Sequence, residues 1–566
     1  MGPGTFDRGV NARRLADTHF DVLVIGGGIT GCGVALDAAS RGLRTALVER
    51  DDLSSGTSSK SSKLVHGGLR YLQQGDVRLV YEALAERQRL RRNAPHLVGV
   101  MPFLLPIFSK DGIINRKLAW ALGKAMWMYD LTGGARIGKL HRKLDVDETV
   151  AYMPTLPRDR LAGGYLYYDA AADDARLTLA LARTAALDHG AVVVNGAPVV
   201  ELVHGDDGQL SGAVVDLDGE RVAVRADHVV SASGVWSDQV RSLDGRPDPG
   251  TIRPAKGIHI TVPWAKVRNE VAAVVPVPKD KRSVFVVPWG DLTYVGTTDT
   301  DYDGPIDDPQ CTEADIDYLL RAINFSVVDT EITRDDIVGT WAGLRPLVSD
   351  ASSARTADLS RRHKVIESDD GLVTITGGKL TTYRQMAEDT VDTIVERLDE
   401  RDRGRVRRRS LTARLRLRGA DGFEQVLDGV IGSGIVSADA MRHLAQRHGG
   451  EARTIVAMVE ARPELAEPLV EGLPYLRAEA VYAVRYEMAR SLDDVLSRRT
   501  RARLQARDRS AAAAPAVAAL IADDLGWDDA EVERQVAAYR ESIADERAAA
   551  HLPDTAAVAI GHRSAP

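Results

Sequence analysis

Hydrophobic patterning along the chain begins with DVLVIGGG (21–28), a continuous apolar run that predicts a buried strand. ITGCGVALDAASRG (29–42) follows, with small and apolar residues at helical spacing and Gly42 as its stop. LRTALVER (43–50) predicts a second strand and completes a β-α-β unit. Further strands are predicted in AVVVNGAPVVEL (191–202), DHVVSASG (227–234), SVFVVPW (283–289), LTYVGTTD (292–299) and GLVTITGG (371–378). The pair 283–289 and 292–299, joined through Gly290 and Asp291, reads as a hairpin, so the sheets are not all parallel. From about 405 onward strands fade and helical patterns dominate, as in AEAVYAVRYEMARSLDDVLSRR (478–499). The arginine-rich RDRGRVRRRSLTARLRLRG (401–419) separates the two regions, and there is no internal repeat.

At 566 residues the chain exceeds the roughly 150 residues of an average domain several times over, which excludes a small binding module. With 44% apolar and 27% charged residues it is expected to fold around a sizeable core. A net charge of -8 argues against general nucleic-acid binding. Cys32 and Cys311 are too few for a disulfide framework or a four-cysteine metal centre, and suit a reducing compartment. No metal site is read. The first twenty residues lack the apolar stretch of a signal peptide, and no apolar run approaches the ~18 residues of a membrane span. The best apolar stretches are LVGVMPFLLPIF (97–108), interrupted by two prolines, and the alanine-rich stretch near 511–522. A cytoplasmic protein is expected.

Gly26, Gly28 and Gly31 fit G-x-G-x-x-G between the first strand and helix. There, glycines permit a tight turn, close approach of a pyrophosphate and close helix packing, and the helix N-terminus faces the phosphates. Glu49, at the end of the second strand, is placed to accept hydrogen bonds from an adenosine ribose, which disfavours a 2′-phosphate. Strand, glycines, helix, strand and acid in that order outweigh an ordinary packing turn. The motif by itself leaves NAD and FAD both open.

The segment DDLSSGTSSKSSKLVHGGLRYL (51–72) decides between them. Its lysines, His66, Arg70 and Tyr71 are unusual choices for a flexible linker. The run GTSSKSSKLVHGGLRYL resembles the signature of FAD-dependent, quinone-linked glycerol-3-phosphate dehydrogenases, within the D-amino-acid-oxidase-like flavoproteins. The resemblance continues through VVSASGVWSD, KGIHI, VFVVPWGDLTYVGTTD, GLRPL, TGGKLTTYR and DVLSRRTR, and covers most of residues 20–500. Ser233 stands where the family usually has Thr, one hydroxyl for another.

The resemblance implies an α/β fold: a discontinuous Rossmann-like FAD-binding domain, a β-rich substrate-binding layer and a C-terminal α-helical cap domain. The oxidoreductase domain is expected over 20–398, with FAD-binding parts at about 20–75, 155–240 and 335–398 and a substrate layer at about 76–154 and 241–334. The helical domain is expected over 405–550. Candidate cofactor-binding residues are Gly26, Gly28, Gly31, Glu49, Arg50, Ser54, Thr57, Ser58, Ser59, Lys63, Val199, Ala232, Gly234, Gly378, Leu380, Thr381 and Thr382. A helix starting after Thr381 is expected to aim backbone N–H groups at the flavin N1 and C2 carbonyl. Cys32 reads as a small core residue, and FAD is expected to bind non-covalently.

The implied reaction oxidises sn-glycerol 3-phosphate to dihydroxyacetone phosphate, with hydride passing from C2 to flavin N5 and electrons then to membrane quinone. Such a site needs cations for the phosphate and a group to receive the hydroxyl proton. The resemblance places Arg70, Tyr71, Thr298 and Lys379 as substrate-binding residues and His259 and Arg345 as catalytic ones. His259 is the candidate general base, because imidazole titrates near neutrality. A hydrogen-bonded structural role for His259 carries equal weight, and the family mechanism alternatively gives Arg345 the proton-handling part. Competing readings are the same oxidation with dioxygen as acceptor, an amine or D-amino-acid oxidase, and a flavoprotein whose arginine-rich segment binds RNA.

Residues 110–143 carry eight Lys or Arg against Asp111 and Asp130, interleaved with apolar residues that include Trp120, Met126, Trp127 and Met128. Two readings weigh equally: peripheral contact with an anionic membrane surface at the inner face of the plasma membrane, and a solvated helix packed on the substrate layer. For 401–419, with nine arginines against Asp402, a charged interdomain linker or second membrane contact is favoured over nucleic-acid binding by the overall acidity. A homodimer is expected from family analogy alone.

Overall fold

The computed structural model describes residues 5–68, 77–109, 137–243, 250–280, 282–348, 363–398, 404–429 and 434–553, with isolated positions 123, 126, 127, 129, 130 and 245. The predicted β-α-β unit forms: His19–Ile25, the helix Ile29–Ser40 and the strand Thr45–Val48. The two strands pair in parallel, Val22 opposite Thr45 and Ile25 opposite Val48. Val22 and Val24 face a core shared with Leu36, Leu181 and Val391, while Leu23 and Ile25 face the opposite core with Leu15. This two-residue alternation, apolar on both sides, marks a strand buried between two layers. The sheet runs Lys364–Glu367, Val373–Thr376, Glu220–Ser231, His19–Ile25, Thr45–Val48, Val192–Val194. Strands separated by some 200 residues are thus neighbours, and the nucleotide-binding layer is discontinuous.

A second sheet has ten strands among the described residues. Ser283–Trp289 and Leu292–Gly296 form the predicted hairpin, with Trp289 opposite Leu292 and Gly290 at φ 60°. Ile252–Pro263 pairs with Leu292–Gly296 on one side and with Gly339–Val348 on the other, setting His259 opposite Trp341 and Ala255 opposite Arg345. The apolar run at 97–108 is the strand Val98–Phe108, antiparallel to Leu161–Ala172 and parallel to Ala272–Pro276.

After Thr376 no strand is present among the described residues. The region beyond 404 packs as helices, including Ala438–His448, Ala452–Ala461, Arg477–Glu487, Ala514–Leu525 and Asp529–Ala550. The helical pattern read over 478–499 is not one continuous helix. The helix stops at Glu487, Met488 takes φ 55°, and a wide π-type turn spans Asp494–Thr500. The Asp494 carboxylate accepts the N–H groups of Arg490 and Ser491, fixing that turn. The arginine-rich connector lies against the nucleotide layer: Arg405 binds Asp21 at 2.8 Å, and Arg418 pairs with Asp188 and Glu451. No helix among the described residues is long and apolar enough to cross a membrane.

Candidate active site

The glycine turn, the loop after the second strand and the inner strands of the second sheet surround one cavity of about 580 Å³. At its glycine end, a Cβ on Gly26 would meet the Ala232 carbonyl oxygen at 2.8 Å, and one on Gly31 would collide with the Gly26 carbonyl oxygen. Gly28 lines the cavity and Gly31 lies behind it as the packing glycine. Ile29 N–H at the start of the helix donates to Ser58 Oγ at 2.8 Å. Glu49 Oε2 accepts the Gly27 N–H at 2.5 Å and its Oε1 accepts the Asp51 N–H at 2.9 Å, so this carboxylate fastens the turn it was expected to serve from the ribose side. Burial pushes its carboxyl up to about 7, opposed by those two N–H groups.

Of the cofactor candidates, Gly26, Gly28, Glu49, Arg50, Thr57, Ser58, Val199, Ala232, Gly234, Gly378, Leu380 and Thr381 line the cavity. Arg50 lies over Trp236 and pairs with Asp51 and Asp307. Gly31, Ser54, Ser59, Lys63 and Thr382 lie off the cavity wall. Ser54 serves through its backbone, donating to the Gly27 carbonyl at 3.0 Å. Lys63 is buried, bound to Asp174 at 3.2 Å and set over the Trp341 ring at 4.8 Å, so its charge is spent inside the protein. Thr382 Oγ1 donates to the Lys379 carbonyl, closing the turn before the helix Tyr383–Val395.

Among substrate and catalytic candidates, His259, Thr298, Arg345 and Lys379 line the same cavity. Arg70 and Tyr71 lie outside the described residues. His259 is buried and stacked flat on Trp341, ring centroids 4.6 Å apart. Its Nε2 is 2.8 Å from Ser62 Oγ. Burial first, then the charges of Lys63 and Arg345, hold its imidazole well below the usual histidine range, so the ring is neutral. Arg345 pairs with Asp299 at 3.2 Å and donates to Thr297 Oγ1 and the Thr298 carbonyl. The Thr298 hydroxyl accepts the Ile258 N–H at 3.1 Å. Lys379 follows Gly377 and Gly378, at φ 79° and 74°, where a side chain at Gly378 would strike Met386. Sequence reasoning singled out Lys60 without assigning it a role and missed Ser62, Arg282 and Asp299 on the cavity wall. Ser62 and Asp299 stood inside quoted motifs, whereas Arg282 carried no local signal.

The cavity therefore joins a pyrophosphate-sized glycine cradle to a pocket carrying Arg345, Lys379 and a neutral histidine, an arrangement suited to a dinucleotide cofactor beside an anionic substrate. The sequence profile of the family described as "FAD dependent oxidoreductase" matches residues 21–384. That of the "C-terminal domain of alpha-glycerophosphate oxidase" matches 410–532. Glycerol-3-phosphate dehydrogenase 2 of Mycobacterium tuberculosis strain H37Rv is 40% identical over 574 residues, spanning 100% of this chain and 95% of that relative.

The chain belongs to the FAD-dependent glycerol-3-phosphate dehydrogenases. The human mitochondrial glycerol-3-phosphate dehydrogenase is 37% identical over 550 residues, covering 93% of this chain and 73% of the relative. The crystal structure of the glycerol-3-phosphate dehydrogenase from Bacillus halodurans complexed with FAD superposes with a TM-score of 0.77 at 32% identity, covering 95% of this chain and 96% of that one. Membership makes FAD the cofactor, and the glycine cradle, where an added side chain would strike backbone, is compatible with the close approach of its pyrophosphate.

Proposed function

We propose that this enzyme oxidises sn-glycerol 3-phosphate at C2 to dihydroxyacetone phosphate and that its electrons leave to membrane quinone. The observation that carries this reading is the convergence of Arg345, Lys379 and neutral His259 on the cavity that holds the glycine cradle. Two cations suit a phosphate dianion, and a neutral imidazole suits a hydroxyl that must lose its proton. FAD, bound without a covalent link, supplies the two-electron acceptor for the C2 hydride. Cys32 offers no attachment point: it is buried, its Sγ faces the Gly27 carbonyl, and burial pushes its thiol far up. In this assignment 20–398 carries cofactor and substrate, and 405–550 forms the helical cap. The deciding experiment is the anaerobic visible spectrum before and after sn-glycerol 3-phosphate, with a D-amino acid as control. Bleaching of the flavin band by the phosphate alone supports the reading, and an unbleached band rejects the substrate.

The match of 410–532 to a domain described from an oxidase makes dioxygen the competing acceptor, and peroxide yield against quinone reduction separates the two. We further propose a peripheral contact with anionic lipid. Most of 110–136 lies outside the described residues, but Trp127 is 56% and Leu140 52% exposed, and Lys139, Arg142 and Lys143 around Leu140 are exposed as well. Apolar tips among cations suit a headgroup surface. Co-sedimentation with anionic vesicles should fall when Trp127→Ser is combined with Lys139→Gln and Lys143→Gln, and unchanged sedimentation would reject this surface.

A further inference from the structure

Among the described residues, none beyond Met386 lines the cavity. The C-terminal domain nevertheless reaches the cavity wall through three arginines within four positions of the turn that interrupts the helical pattern. Arg498 Nε and Arg499 Nη1 both donate to Asp52 Oδ2 at 2.7 Å, and Arg499 Nη2 donates to Asp52 Oδ1 at 2.8 Å. Arg501 donates to the Ser59 carbonyl at 3.2 Å and to Asp173 at 2.9 Å, and closely pairs with Asp174. Asp174 in turn accepts the N–H of Ser61 at 3.0 Å and its hydroxyl at 2.7 Å, and pairs with Lys63.

The segment between these two anchors supplies Ser55–Ser58 and Lys60–Ser62 to the cavity. It is rich in Ser and Gly, and such a chain has many conformations to lose on ordering. It also carries two non-glycine residues at positive φ, Ser54 at 66° and Lys63 at 56°, a geometry that persists only where the surroundings hold it. Asp52, Asp174, Arg499 and Arg501 are each no more than 4% exposed. A carboxylate or guanidinium buried to that degree demands its partner, so loop and turn order together.

We propose that Arg498, Arg499 and Arg501 are positioning residues for FAD, acting through Asp52 and Asp174 to hold the cavity loop in its cofactor-binding conformation. The C-terminal domain then works as a clamp on the cofactor loop. Preorganisation of this kind acts chiefly on how long the ligand stays bound.

The test is FAD release from full-length holoenzyme after dilution, followed by the recovery of free-flavin fluorescence below the unfolding temperature of every variant. Arg501→Lys keeps the charge beside Asp174 but loses the fork, and Arg498→Gln replaces the least buried of the three, its side chain 13% exposed, with a polar side chain, so these are the mildest changes in the set. Arg418→Ala is the control, since it loses the connector's pairs with Asp188 and Glu451 without touching the loop. We expect Arg501→Lys and Arg498→Gln to release FAD about tenfold faster than the parent and Arg418→Ala to match the parent within about twofold. A lowered melting temperature with unchanged release in the first two variants overturns the proposal. So does equally fast release from Arg418→Ala, which would mean general loosening between domains.

Discussion

Ser62 Oγ stands 2.8 Å from Nε2 of His259, whose flat face lies on Trp341 and whose Nδ1 is buried without a hydrogen-bond partner. The ring is neutral, and its contact with a polar side chain is at Nε2, so if His259 is the proton acceptor, Ser62 is the group that orients it. His259→Ala is expected to slow anaerobic flavin reduction by roughly 10²–10³, the usual range for loss of a general base, with normal FAD content. Ser62→Ala is expected to slow it by about tenfold, the worth of one hydrogen bond to the reacting ring. Stopped-flow reduction at saturating substrate measures both, and a parental rate in His259→Ala eliminates it as proton acceptor. Because burial, Lys63 and Arg345 keep this ring neutral well below 6.5, the rate should show no loss from its protonation between about pH 7.5 and 6.

The same residues show where the sequence is legible and where it is not. The β-α-β unit, the hairpin at Gly290 and the glycine turn are written in short-range periodicity and backbone chemistry, and each forms as the pattern implies. Lys63 sits in a motif of cations and hydroxyls and reads like a cofactor ligand. Its partner Asp174 is 111 residues away, and nothing local reveals that the charge is already matched. The break at Met488 has the same origin. Helical spacing runs through it, but Arg498 and Arg499 must meet Asp52 more than 440 residues earlier, and the turn that delivers them is set by tertiary pairing. Non-local charge pairing therefore overrides local pattern at the places that shape the cavity.

Gly31→Ala should abolish FAD retention. The added methyl collides with the Gly26 carbonyl, which belongs to the turn beneath the cofactor, and backbone offers no side-chain rotation to relieve it. The expected result is protein purified without a flavin absorbance band and a stability loss of about 1–3 kcal/mol by denaturant titration, and a normal flavin band would reject the packing role.

Stability should fall as pH drops from 6.5 toward 4. Burial lowers His448 to about 4 and His96 to about 3 from an ordinary 6.5. Below 6.5 the unfolded chain binds protons that the folded chain refuses, so each such histidine withdraws up to about 1.4 kcal/mol per pH unit across that window. Glu49 acts oppositely, since its raised carboxyl binds a proton in the folded state between about 7 and 4.5 and adds stability as pH falls there. The two histidines outweigh it in number. Denaturant midpoints at several pH values should decline below 6.5, and the decline should become shallower in His448→Gln.

The two domains are further joined by Arg176, on the helix Asp174–Leu187, and Glu487, at the end of Arg477–Glu487. Arg176 Nη1 reaches both carboxylate oxygens at 2.7 Å, and both side chains are almost wholly buried. Arg176 Nη2 also stands 3.1 Å from His448 Nδ1. Taking two charges out of water costs nearly what their attraction returns, so the pair's net stabilisation is small. Removal of one partner is another matter, because it leaves the other charged and dry. Arg176→Ala and Glu487→Ala are each expected to lower unfolding free energy by about 3–5 kcal/mol. The double replacement Arg176→Met with Glu487→Leu should recover most of that loss by filling the same space with apolar atoms. Denaturant titration of all three variants checks this, and a double variant as unstable as either single would mean that the pair contributes stability outright.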